Sequence, residues 1–178
     1  MIYDPRKHHR HALRLKNYDY SQPGAYFVTI CSWQRHPHFL SPELRDTLTI
    51  TWQHLSSHYP TATPDAFVVM PDHIHGIIIL GEPPKLVRKT TLTDIVSGYK
   101  SMTTVAWIRM KKNQHEPYTK HLWQERFYDH VMRNEQDLLR IREYILNNPL
   151  NSQLRMDIDI DDDTWEDMVR RYIDSDVV

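Results

Sequence analysis

Apolar positions along this chain recur with two different periods, and the switches between them divide it into elements. Residues 25–33 are dense in aromatic and β-branched side chains and predict a strand. Ser41-Pro42-Glu43 has the capping residue and first-turn proline of a helix start. Leu44, Leu48, Trp52 and Leu55 then follow at helical spacing, which predicts a helix to about His58. Pro60 and Pro64 interrupt the chain. Residues 66–70 predict a second strand, Met70-Pro71-Asp72 a turn, and residues 73–80 a third strand. Helical spacing returns from Thr91 to about Lys112 in Leu92, Ile95, Tyr99, Met102, Val105 and Ile108. Residues 122–132 predict a fourth strand. Asn134 caps a helix expected to end near Asn148, because Pro149 disfavours helical geometry in the residue before it. Thr164 is placed to cap a short tail helix bearing Trp165, Met168, Val169 and Tyr172.

The order strand, helix, strand, strand, helix, strand, helix contains the β-α-β-β-α-β pattern of a ferredoxin-like α+β fold. That pattern predicts an antiparallel sheet with both crossover helices on one face. The histidine face of the third strand is then the open face, and another element must cover it.

Composition narrows the setting. The 178 residues suffice for one domain with a core, and no apolar run is long enough to cross a bilayer. The start is basic and lacks the apolar stretch of a secretory signal. The single cysteine, Cys31, points to a reducing cytoplasm. The net charge of −1 conceals segregation: residues 157–178 hold nine acids and two arginines, which leaves +6 on residues 1–156. The expected organisation is one domain over residues 1–156, with a basic arm in residues 1–20, followed by an acidic tail over residues 157–178. The body attracts a polyanion; the tail is either a solvated segment or a competitor folding back through Trp165 and Tyr172.

The chemistry begins at Met70-Pro71-Asp72-His73-Ile74-His75-Gly76. In a strand, residues two apart share a face, so His73 and His75 project side by side, at a spacing two imidazoles can use on one metal ion. Alone, the pair is equally explained as hydrogen-bonded strand histidines. A third ligand is sought, and the last helix offers one: Arg140, Tyr144 and Asn148 form a polar stripe beside the apolar Leu138, Ile141 and Ile145. The Asn148 carbonyl oxygen suits Mg²⁺ or Mn²⁺. Taken singly, Tyr144 also reads as core packing and Asn148 as a helix stop.

Three separated segments carry a resemblance. Met-Pro-Asp-His-Ile-His-Gly resembles the His-hydrophobic-His motif of single-tyrosine transposases. Leu-Trp-Gln-Glu-Arg-Phe-Tyr-Asp-His-Val-Met-Arg-Asn at 122–134 and Tyr-Ile-Leu-Asn-Asn-Pro at 144–149 resemble signatures of the REP-associated tyrosine transposases. The segment from Tyr20 to Cys31 is also similar, and the resemblance spans roughly residues 10–151. One departure is Asp72, where relatives often carry Asn.

The resemblance implies an endonuclease and strand transferase for single-stranded DNA, often folded as a hairpin. Its motifs make His73, His75 and Asn148 metal ligands and Tyr144 the nucleophile, acting through a 5′-phosphotyrosine link. Arg10, Arg14, Lys16, Lys100, Arg126 and Arg133 are candidate DNA contacts, and relatives are monomers or homodimers. Two other classes compete: a structure-specific DNA-binding protein or repressor with little cleavage, and a hydrolytic metalloenzyme using the two histidines.

Overall fold

The computed structural model describes residues 15, 17–83 and 89–156, with side chains as far as Asn148. Its elements run β1 (Gly24–Cys31), α1 (Pro42–Gln53), a short α2 (Leu55–His58), β2 (Ala62–Val69), β3 (His73–Leu80), α3 (Leu92–Asn113), β4 (Tyr128–Val131) and α4 (Glu135–Met156). The four strands form one antiparallel sheet in the order β2-β3-β1-β4, the order a ferredoxin-like βαββαβ chain gives. The expected tail helix and the basic arm lie outside the described residues.

Alternation along β1 and β3 builds two different faces. Tyr26, Val28 and Ile30 join Ile74 and Ile78 on one face and pack beneath α1 and α3. Both helices start where side-chain caps satisfy their first N–H groups. The Ser41 hydroxyl accepts from the Leu44 N–H at 3.4 Å, and Thr91 with Asp94 forms a reciprocal capping box. Leu44, Leu48, Trp52 and Leu55 all reach this core, as the spacing predicts. Gly76 faces the same way, and its lack of a side chain makes room for Trp52, whose ring a Cβ would overlap.

Phe27 and Ile77 point to the opposite face, where Ile141, Tyr144 and Ile145 of α4 cover them. The last helix therefore lies across the histidine face.

Several boundaries depart from the sequence expectation. The first helix breaks at His54, whose ring nitrogen Nδ1 lies 2.8 Å from the Ile50 carbonyl, and resumes as α2. β2 begins at Ala62, four residues early, because it is an edge strand with an irregularity between Pro64 and Phe67 that accommodates the proline. The fourth strand is confined to Tyr128–Val131, and Trp123 makes only an isolated bridge to Ser32. α4 continues through Pro149 to Met156, so Asn148 lies inside a helix rather than at its end. Proline forfeits one helical hydrogen bond there, and the apolar stripe docked upstream holds the helix direction.

Candidate active site

Register brings the site together. Thr29 stands opposite His75 across β1 and β3, and Cys31 opposite His73. The Nε2 atoms of His73 and His75 lie 3.1 Å apart. Each ring is held from behind. Asp72 Oδ1 is 2.6 Å from His73 Nδ1, and Thr29 Oγ1 is 2.8 Å from His75 Nδ1. The Asp72 carboxylate accepts from His73 Nδ1–H, which leaves the His73 Nε2 lone pair facing into the site, while the Thr29 hydroxyl can accept from or donate to His75 Nδ1. The second oxygen of Asp72 meets Arg35 Nη1 at 3.4 Å. Burial pushes the Asp72 carboxyl upward, but the His73 hydrogen bond, the charge of that ring and the charge of Arg35 together hold it below the usual range.

α4 adds the other two groups. The Tyr144 hydroxyl is 3.4 Å from His75 Nε2. Its ring meets Phe27 edge-on at 6.1 Å, and Phe27 stacks on the His75 ring at 5.3 Å. Asn148 follows one helical turn later and is fully buried, 0% exposed, with neither Oδ1 nor Nδ2 given a hydrogen-bond partner among the described residues. A buried amide in that state costs free energy unless something else completes it.

This donor set fits a small divalent cation. Ligands about 2.1 Å from one ion and at right angles around it stand about 3 Å apart, close to the 3.1 Å between the two imidazole nitrogens. The unmatched Asn148 amide supplies an oxygen acceptor. Among the described residues no group of three His, Cys, Asp or Glu side chains is placed to hold a metal ion.

The remaining candidates fall in different places. Arg126 and Arg133 are exposed. The Lys100 ammonium donates to the carbonyls of Gln124 at 2.7 Å and Glu125 at 2.9 Å, so two of its three N–H groups are engaged. Burial lowers its pKa, against the pull of Glu125. Arg10, Arg14 and Lys16 lie outside the described residues. Of the polar stripe, Arg140 pairs with Asp137 at 3.0 Å. Sequence reasoning missed Thr29, Arg35 and Phe27 as parts of this site. The roles of Thr29 and Phe27 depend on strand register and that of Arg35 on the turn after β1, neither of which local patterning encodes.

Residues 24–148, from the first residue of β1 to Asn148, match the family described as IS200-like transposases. A protein of Haemophilus influenzae without an assigned function is 31% identical over 167 residues, covering 80% of this chain and 89% of that protein. A second H. influenzae protein, provisionally named a REP-associated tyrosine transposase, is 26% identical over 138 residues, covering 76% of this chain and 77% of its own. Among solved structures, a REP-associated tyrosine transposase bound to a REP hairpin has the same fold. It matches with a TM-score of 0.60 at 24% identity, over 78% of this chain and 73% of that one.

Proposed function

The chain belongs to the IS200-like transposase family, whose members cut and join DNA, and from that premise we propose that it nicks and rejoins single-stranded DNA through a covalent link to Tyr144. The observation that carries this reading is the meeting of Tyr144 with the histidine pair. The hydroxyl stands 3.4 Å from His75 Nε2, and Asn148 is set one turn along the same helix. The proposed substrate is a strand folded into an imperfect hairpin, in line with the REP hairpin held by the structural neighbour.

His73, His75 and Asn148 would hold a divalent cation, Mg²⁺ or Mn²⁺, which when bound polarises the scissile phosphate. The protein's own groups do the positioning. Asp72 and Thr29 fix the two imidazoles, and Phe27 sets the Tyr144 ring against His75. Tyr144 Oη attacks phosphorus, the bond to the 3′-oxygen breaks, and the 5′-phosphate remains esterified to the tyrosine. The tyrosine gives up its proton, and the departing 3′-oxygen takes one up. A tyrosine hydroxyl has a pKa near about 10, so attack at neutral pH depends on a phosphate made more electrophilic rather than on a preformed phenolate. Because the phosphoester is conserved, the reverse attack rejoins a strand without a nucleoside triphosphate. Exposed Arg126 and Arg133 are assigned to the DNA backbone, with Lys100 bracing the loop beside Arg126; Arg10, Arg14 and Lys16 of the basic arm are further candidate contacts. His73, His75, Tyr144 and Asn148 all belong to one chain, which supports the reading of a monomer over a homodimer. No helix of the described residues is long and apolar enough to cross a membrane.

The test is incubation with a synthetic imperfect DNA hairpin carrying a single-stranded flank, in Mg²⁺ or Mn²⁺. A protein–DNA adduct is expected from the wild type, none from Tyr144→Phe, and loss of the metal response in His73→Ala. An adduct that persists in Tyr144→Phe refutes the assignment.

A further inference from the structure

The turn after β1 contains two consecutive non-glycine residues in the left-handed region, Gln34 at φ 55° and Arg35 at φ 56°. Such backbone is strained for residues with a Cβ and persists where its surroundings impose it. Here the Ser32 hydroxyl donates to the His36 carbonyl at 2.7 Å, and the Trp33 N–H donates to the Leu122 carbonyl at 2.9 Å.

The strained turn shapes a pocket of about 380 Å³ lined by Trp33, Gln34, His36, Pro37, His38 and Thr119. That volume falls in the lower part of the range for small-ligand sites. Its rings are braced by others: Trp33 stacks on His121 at 4.9 Å and 29°, and His38 lies against Trp107 at 5.5 Å. Gln34, His36, Pro37 and Thr119 are exposed. Flat ring walls with an amide and a hydroxyl at the rim suit a nucleobase, which stacks by its face and hydrogen-bonds by its edge. No lysine or arginine lines the pocket, so a phosphate group is a poor occupant.

The same turn connects to the histidine pair. Arg35 Nη1 reaches Asp72 Oδ2 at 3.4 Å, and Asp72 Oδ1 holds His73 Nδ1 at 2.6 Å. We propose that this pocket captures one unpaired base of the DNA strand that enters the Tyr144 site, so that base capture and His73 orientation share the Arg35–Asp72 link. The proposal rests on reading the chain as an enzyme of single-stranded DNA.

The test measures fluorescence anisotropy of a fluorescein-labelled single strand of mixed sequence, and of the same strand annealed to its complement, with the full chain and two variants. Trp33→Leu is expected to weaken single-strand binding by roughly five- to one-hundredfold, the range for losing one stacked base. The exposed His36→Ala is expected to weaken it less, and neither variant changes duplex binding. If Trp33→Leu does not fold, His36→Ala carries the test. Equal single-strand affinity for the wild type and every folded variant overturns the pocket, while a Tyr144 adduct still supports the enzyme. A wild type that binds no single strand and forms no adduct overturns both.

Discussion

The two faces of the sheet are built from alternate residues of the same strands, yet they solve different problems. On the helix-pair face, Trp52, Tyr99, Ile74 and Ile78 are almost completely buried, and the Tyr99 hydroxyl donates to the Leu48 carbonyl at 3.1 Å. Burial pushes that tyrosine's pKa well up, which makes it inert. On the other face, Tyr144 is also buried, but against the His75 imidazole and one helical turn from an unmatched amide. Residue type does not separate the two tyrosines. What surrounds each hydroxyl does: a backbone carbonyl in one case, a polar cluster with spare acceptors in the other. The first face is dominated by apolar packing, whereas the second buries a whole side-chain amide without a hydrogen-bond partner among the described residues.

The sharpest way to break this comparison is to truncate one buried side chain on each face. Tyr144→Phe should abolish the DNA adduct while leaving the melting temperature within a few degrees, because the 3.4 Å contact to His75 is long and the change keeps the ring packed against Phe27. Trp52→Ala, on the opposite face, should instead destabilise the fold by about 3–5 kcal/mol, as large-to-small core changes do. Denaturant titration and adduct gels on both variants would separate the faces. Loss of stability in Tyr144→Phe equal to that in Trp52→Ala would end the distinction.

Cation binding should act on one face only. Saturating Mn²⁺ at about one hundred times its Kd should stabilise the wild type by about 2.7 kcal/mol. His73→Ala should lose most of this gain, which thermal melts in Mn²⁺ and in chelator would show. An equal gain in His73→Ala would place the cation elsewhere.

Asn148 allows a finer test, because its buried amide has no partner among the described residues. Replacing it by the similarly sized Leu should stabilise the chelator-treated protein by about 1–3 kcal/mol, by removing unmet polar groups. The same change should erase the Mn²⁺ response and the adduct. A destabilised Asn148→Leu protein would mean that the amide has a structural role.

These contrasts also explain what the sequence could and could not reveal. The third strand and the Ser41 helix start are local patterns, a period of two and a capping residue; the same-face spacing of His73 and His75 and the one-turn spacing of Tyr144 and Asn148 are local too, but only the resemblance joins the two pairs. The fold class follows from element order. The boundaries that differ are those where tertiary context outweighs a local rule. Pro64 is tolerated because β2 is an edge strand, and Pro149 because α4 is already docked. Thr29 was illegible for another reason. It supports His75 from a strand 46 residues away, and only the pairing register places it there.

The smallest expected effect concerns how α4 is held. Arg142 Nε and Nη2 reach Asp65 Oδ2 at 2.8 and 2.5 Å, joining the tyrosine helix to β2 beside its irregular stretch. The arginine side chain is 37% exposed, so solvent screens the pair and its stability value is about 1 kcal/mol or less. Its effect on chemistry should exceed that, because small displacements of a nucleophile cost rate steeply. Asp65→Asn should leave the melting temperature nearly unchanged and slow adduct formation at saturating DNA by roughly two- to tenfold. Arg142→Lys should slow it less. The deficit of Asp65→Asn should shrink as salt rises, since screening removes the same attraction from the wild type. A rate unchanged by Asp65→Asn at low salt would show that the apolar stripe of Leu138, Ile141 and Ile145 alone sets the position of Tyr144.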